Sequence, residues 1–170
     1  MDTIRKNGKV ICIVLLVGFM AIIWYAVFYF EARQNLRVTF FDVGQGDAIF
    51  IEIPGGNQIL IDGGPDEKVL SKLGRAMPFW DRSIDMVILT HPHADHVNGF
   101  VEVLKRYQVK QVLMTGVEYF SSGYAAFLDE IYQRKIPVIF PTGKNDFQLG
   151  TAVIDMLFPF NAMQGRSFDK

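Results

Sequence analysis

The sequence predicts a mixed α/β domain, hairpins first and alternating helices and strands after, carried behind one membrane-spanning helix. Three observations carry that prediction. An uncharged run of 21 residues, Val10 to Phe30, lies near the start of the chain. Short apolar runs punctuated by turn residues fill residues 37–66, and beyond them segments of helical and strand-like period alternate. With 170 residues, half of them hydrophobic and 21% charged, the chain has room for one domain of ordinary size and is not disordered or low in complexity.

At about 1.5 Å per helical residue, residues 10–30 reach roughly 31 Å, which matches a hydrocarbon core of about 30 Å. Arg5, Lys6 and Lys9 precede the run, and Glu31, Arg33 and Arg37 follow it. The basic excess on the amino-terminal side assigns residues 1–9 to the cytoplasm and the domain to the far side of the membrane. A cleaved signal peptide, which would make the protein secreted, is the rival reading. The length of the run, its bulky end (Trp24, Tyr25, Phe28, Tyr29, Phe30) and the lack of a small-x-small site favour an uncleaved anchor. The single cysteine, Cys12, sits inside the run, so an internal disulfide and a cysteine-based zinc site are excluded. Beyond residue 30 the chain has 14 basic and 17 acidic residues. That mild acidity argues against an extended phosphate-binding face, and the one compact basic group, Lys105, Arg106 and Lys110, reads as a solvated helix end.

Arg37 to Asp42, Ala48 to Ile53 and Gln58 to Asp62 read as three strands of an antiparallel meander, separated by Gly44-Gln45-Gly46-Asp47 and Pro54-Gly55-Gly56-Asn57. Residues 67–76 read as a helix with Val69, Leu70 and Leu73 on one face, and Met86 to Thr90 as a buried strand. A helix to about Tyr107, a strand Val112 to Thr115 and a helix Tyr124 to Arg134 follow. Val138 to Phe140 and Val153 to Phe158 supply the last strands, and Asn161 to Lys170 carries no strong pattern. No repeat or biased linker interrupts residues 37–160.

All three histidines of the chain, with one carboxylate, fall in the six residues His91-Pro92-His93-Ala94-Asp95-His96, directly after an apolar strand. Pro92 keeps His91 extended, and an i, i+2 pair in extended backbone projects His91 and His93 to the same side. As the chain turns into the next helix, Asp95 and His96 reach a second position, and the helix amino terminus tolerates the carboxylate. Two neighbouring metal ions fit this pattern. Imidazole and carboxylate without thiolate suit Zn²⁺ best, with Mn²⁺ and Fe²⁺ also compatible. A dinuclear centre with ions about 3.5–4 Å apart can hold a hydroxide and clamp the oxygens of an ester or phosphodiester, and Asp95 is then also the catalytic candidate that orients the hydroxide. Asp62, in Leu60-Ile61-Asp62-Gly63-Gly64, and Asp47 each read equally well as a carboxylate standing behind the ligands or as a plain turn residue. Gly44, Gly46, Gly63 and Gly64 answer backbone demands rather than cradle phosphate, since no phosphate-binding fingerprint surrounds them.

Through Leu60-Ile61-Asp62-Gly63-Gly64 and His91-Pro92-His93-Ala94-Asp95-His96 the sequence resembles the metallo-β-lactamase fold family. More narrowly, Val38 to Ala48 and Ile84 to Thr90 are similar to the carboxy-terminal domain of the competence protein ComEC. The resemblance covers about residues 37–160. It implies an αββα sandwich, metal positions fed by His91 with His93 and by Asp95 with His96, hydrolysis of esters or phosphodiesters, and an association with DNA uptake. The family's later ligands, an Asp at a Thr-Gly-Asp-like strand end and a final His, have no counterpart, for no histidine follows His96. The resemblance thus implies the amino-terminal half of the sandwich in residues 37–170, as a gene fragment, a shortened product or one member of a split protein. On that basis a missing carboxy-terminal half or a partner chain is expected to complete the site, one face of the sheet is expected to be bare, and Asp146 and Asp155 are the candidate carboxylates for substitute ligands. A non-enzymatic, membrane-tethered half domain that binds metal or a partner is the alternative function.

Overall fold

The computed structural model describes residues 2–32, 34–143, 146–159, 161 and 163–166, in two units, Met1–Asn35 and Leu36–Lys170. The first unit is helix α1 (Asp2–Ala32). Its segment Val10–Phe28 has a mean hydropathy of 2.8 and no buried share, so it is long and apolar enough for a membrane span, a test that a signal sequence also passes. The helix runs on through the basic residues before the apolar run, while Arg33 on the other flank lies outside the described residues.

The second unit contains β1 (Arg37–Phe40), β2 (Ile49–Glu52), β3 (Gln58–Ile61), α2 (Lys68–Ala76), β4 (Ser83–Ile84), β5 (Met86–Leu89), α3 (Ala94–Arg106), β6 (Gln108–Val109), β7 (Val112–Met114), α4 (Ser122–Arg134), β8 (Val138–Ile139), β9 (Phe147–Leu149) and β10 (Ala152–Ile154). The main sheet has the order β1-β2-β3-β5-β7-β8. Its first three strands form the antiparallel meander, and β3, β5, β7 and β8 run parallel. The mixed α/β fold expected from the pattern of elements is thus present, because each helix is the crossover that a parallel pair requires.

Strand residues are apolar at successive positions, so both faces of the sheet must be covered. Phe50, Leu60, Val87 and Val112 are paired in register and bury one face against Val69 and Leu73 of α2, Val97, Phe100, Val103 and Leu104 of α3, and Phe127 and Ile131 of α4. Ile51, Ile59, Met86, Ile88 and Leu113 look the other way. The bare face expected there is covered over this region: β9 and β10 pair as an antiparallel hairpin whose Phe147, Leu149, Ala152 and Ile154 pack on it. The last strand is correspondingly shorter than the expected Val153 to Phe158. At the outer strand β1 apolar side chains remain uncovered, Val38 at 45% and Phe40 at 74% exposure. Of the patternless tail Asn161 to Lys170, Asn161 and residues 163–166 are described; the rest lies outside the described residues.

Candidate metal centre

The site lies at the carboxyl ends of the parallel strands β3 and β5, where open α/β sheets place their ligands. Asp62 follows β3 with φ +56°, a left-handed conformation that Asp tolerates better than most residues, and its N–H donates to Ile88 O at 2.9 Å. Thr90 and His91 follow β5; His93, with φ −66° and ψ 152°, is the residue from which α3 starts, and it accepts His96 N–H and Val97 N–H at 3.0 Å each. The extended backbone before α3 and the helical turn after it carry the histidines into one cluster.

Two close approaches hold this geometry. Gly99 of α3 lies against the turn after β3, where a Cβ would stand 1.9 Å from Gly63 O. Gly46, at φ +78°, lets the β1–β2 loop press on the start of α3, where a Cβ would stand 1.9 Å from Asp95 O. These glycines meet backbone rather than any anion-binding shape. The second approach also brings Gln45 Nε2 to Asp95 Oδ2 at 3.2 Å.

Asp62 is 2% exposed and organises the cluster. Thr90 N–H donates to its Oδ1 at 2.9 Å, and Thr90 Oγ1 donates to its Oδ2 at 2.6 Å. Because an ionised carboxylate only accepts, His96 Nδ1, 2.8 Å from Oδ2, carries the proton and donates it. The Thr90 hydroxyl has spent its single proton on Asp62, so His91 Nδ1, 2.9 Å from Thr90 Oγ1, is the donor there. Both imidazoles are thereby assigned the tautomer with the lone pair on Nε2, and their rings stand 3.8 Å apart between centroids. Burial, then the neighbouring His96, holds the His91 pKa below the ordinary imidazole value against the pull of Asp62, which keeps that ring neutral.

Donor atoms of Asp62, His91 and His96 lie within 4.8 Å of one another. The expected partner of His91 is adjacent but outside this tightest set: the His93 ring is 4.8 Å from that of His91 and packs 5.4 Å from Tyr119. Asp95 Oδ1 lies 3.9 Å from His96 Nε2. Desolvation pulls the Asp95 pKa up, but its own backbone N–H, Gln45, His96 and His91 together bring it below the usual carboxylate range. Asp47 is exposed in the β1–β2 loop, and Asp146 and Asp155 are exposed near β9 and β10. Thr90, Gln45 and Tyr119 are site neighbours that the sequence reading passes over; a hydroxyl between a buried strand and the first histidine was the available sign for Thr90.

The donor set fits a divalent cation. Asp62 is a buried carboxylate whose only ion-pair partner among the described residues is His96, and two oriented imidazoles with a third beside them converge at its edge. Neutral imidazoles and carboxylates are the ligand types of Zn²⁺, Mn²⁺ and Fe²⁺ sites.

The family model described as metallo-beta-lactamase superfamily matches residues 41–159. No curated protein matches the chain. Among solved structures, one described as a new diphosphatase from the PhnP family is similar over 63% of this chain, with 18% identity and a TM-score of 0.41; the chain spans 41% of that structure's length. The family match runs through the core strands, the Asp62 turn and the whole histidine loop, and covers well over half of the sequence. The chain belongs to the metallo-β-lactamase superfamily.

Proposed function

We propose that the chain is a membrane-anchored, metal-dependent hydrolase of the ComEC-like kind, cleaving phosphodiesters in connection with DNA uptake. Residues 10–30 form the anchor, residues 1–9 lie in the cytoplasm, and residues 37–170 act on the other side. The observation that carries the reading is the Asp62–Thr90 relay, which fixes His91 and His96 with Nε2 presented together. Such outer partners set ligand tautomer and basicity in metal sites. His91 with His93, and Asp95 with His96, are the pairs that would hold the ions. Bound zinc would lower the pKa of water toward neutrality and clamp phosphoryl oxygens. Asp95, which accepts a hydrogen bond from Gln45, would orient the attacking oxygen, and Asp62, bonded to His96 Nδ1, would keep that ring in register.

The test is metal analysis of the full chain in detergent, with cleavage of bis(p-nitrophenyl) phosphate and of single-stranded DNA measured before and after chelation. We expect close to two equivalents of metal and chelator-sensitive cleavage of both. A chain that takes up no Zn²⁺, Mn²⁺ or Fe²⁺ would overturn the reading.

The ligand count favours a second reading. Four donors over two ions give two each, whereas a catalytic zinc takes about three protein ligands. On this reading the loop holds metal, or a partner, without turnover, and a further segment or chain supplies the remaining donors. Metal uptake without cleavage would single it out.

A further inference from the structure

Apart from the candidate metal centre, the second unit carries a cleft of about 440 Å³ between β1 and α2, one of about 520 Å³ on the hairpin side of the sheet, and one of about 430 Å³ beyond β7. The last is distinguished by its lining. Tyr119, Phe120, Tyr124 and Phe140 converge on it, with Glu118 and Gln164 as its polar groups. Tyr119 belongs to both places: it lines the cleft and its ring stands 5.4 Å from that of His93. Phe120 is 95% exposed, an aromatic ring that the fold itself leaves in water.

The cleft is held in shape rather than collapsed. Glu118 N–H donates to Arg166 O at 2.7 Å and Gly165 N–H to Gly116 O at 3.1 Å, which clips the 163–166 turn to the wall carrying Tyr119. The Tyr124 hydroxyl donates to Val117 O at 3.4 Å, so this ring too is tied to the same wall. Phe140 lies over Gly116, where a Cβ would meet its ring at 2.5 Å.

The geometry points to this cleft as a base-stacking subsite, which receives the nucleobase next to the phosphodiester held at the histidine loop. The inference rests on the proposed phosphodiesterase reading and names its substrate class, a single-stranded nucleic acid. Flat rings with little hydrogen-bonding apparatus suit any base by its π face, which gives affinity without sequence selection. Among the described residues no lysine or arginine lines the cleft, and the one charged residue there, Glu118, is acidic. The phosphate is therefore not taken up in the cleft; it belongs with the histidines, one ring away.

Fluorescence anisotropy with the full chain in detergent reads the subsite without any need for turnover. The probes are an end-labelled tetramer of thymidylate and a tetramer of the same phosphates whose bases are replaced by tetrahydrofuran. We expect the thymidylate tetramer to bind about tenfold more tightly than the abasic one, the scale of one stacked base. Phe120→Ala should erase most of that ratio while metal content, circular dichroism and affinity for the abasic tetramer stay as they were. Phe120→Trp should preserve the ratio. Equal affinities for the two tetramers, or a Phe120→Ala loss shared by both, would overturn the inference. Cleavage of bis(p-nitrophenyl) phosphate in the same preparation separates the two conclusions: cleavage with no base preference removes the subsite and leaves the hydrolase, whereas base preference without cleavage keeps the subsite and removes the hydrolase.

Discussion

Two buried carboxylates mark opposite ends of the same pair of strands. Asp85 precedes β5 and Asp62 follows β3, and they are 7% and 2% exposed. Asp85 accepts Gln58 N–H at 2.8 Å and the Lys110 ammonium at 2.6 Å, so a full positive charge reaches it from the surface. Among the described residues Asp62 accepts only the Thr90 amide, the Thr90 hydroxyl and the His96 ring N–H. Burying a carboxylate is costly unless it is paired as well as hydrogen-bonded. One end of the strand pair is therefore finished by the chain itself, whereas the other presents lone pairs and a negative charge to something that brings positive charge. The difference separates a structural carboxylate from one that belongs to a site.

The largest expected effect tests the open end directly. Replacing both His91 and His93 by Ala removes two of the four loop donors, and metal affinity should fall by more than the roughly 10–100-fold that loss of an outer partner costs. Metal analysis after equilibrium dialysis checks this, and an unchanged content would remove the site from the histidine loop. Next comes Asp62→Asn, which keeps the shape but turns an acceptor of His96 Nδ1–H into a group that can present N–H. Metal affinity should fall by about 10–100-fold. The metal-free chain should lose little stability, because the Asn Oδ1 still accepts Thr90 N–H, while the Thr90 hydroxyl by turning and the His96 imidazole by changing tautomer can each accept from the new Nδ2–H.

How far this contrast is readable from sequence depends on the range of the signal. The meander, the buried strand before the histidines and the helices after it are legible because their apolar period repeats over four or more residues. The parallel pair β4 and β6 has two residues per strand, too few for any period, and exists only because Gln108 N–H finds Arg82 O and Lys110 N–H finds Ile84 O once the chain has folded. β9, Phe147-Gln148-Leu149, is likewise short, and it is strand because Ala152 to Ile154 pairs with it over the second face of the sheet. In the site, the dense histidine loop is visible as a string, and Asp62 is visible only as an Asp-Gly turn with two equal readings. Its hydrogen bond to a histidine 34 positions later decides that it stands inside the cluster, and such long-range contacts leave no local trace. Tyr119 and Gln45 are hidden for the same reason.

The closed end gives a smaller and different response. Asp85→Ala strands Gln58 N–H in a buried setting, which costs about 1–3 kcal/mol for an orphaned donor. Urea unfolding followed by circular dichroism should show that loss, while metal content stays at the level of the unaltered chain. Stability losses of equal size in Asp62→Asn and Asp85→Ala, both measured without metal, would break the comparison, since both carboxylates would then be structural.

The smallest effect sharpens what pairing means at the closed end. Lys110 lies 60% exposed while Asp85 is 9% exposed at the side chain, so the cation stands in water and only the anion is sheltered. Water and salt screen such a pair, and exposed ion pairs are worth about 0–1 kcal/mol. Lys110→Met keeps the aliphatic stem over the surface and deletes the charge. Its cost should therefore be under about 1 kcal/mol and should shrink further in high salt, where the original pair is already screened. A cost as large as that of Asp85→Ala would mean that charge compensation, rather than satisfaction of the Gln58 amide, dominates that end, and the uncompensated Asp62 would then demand its cation all the more strongly.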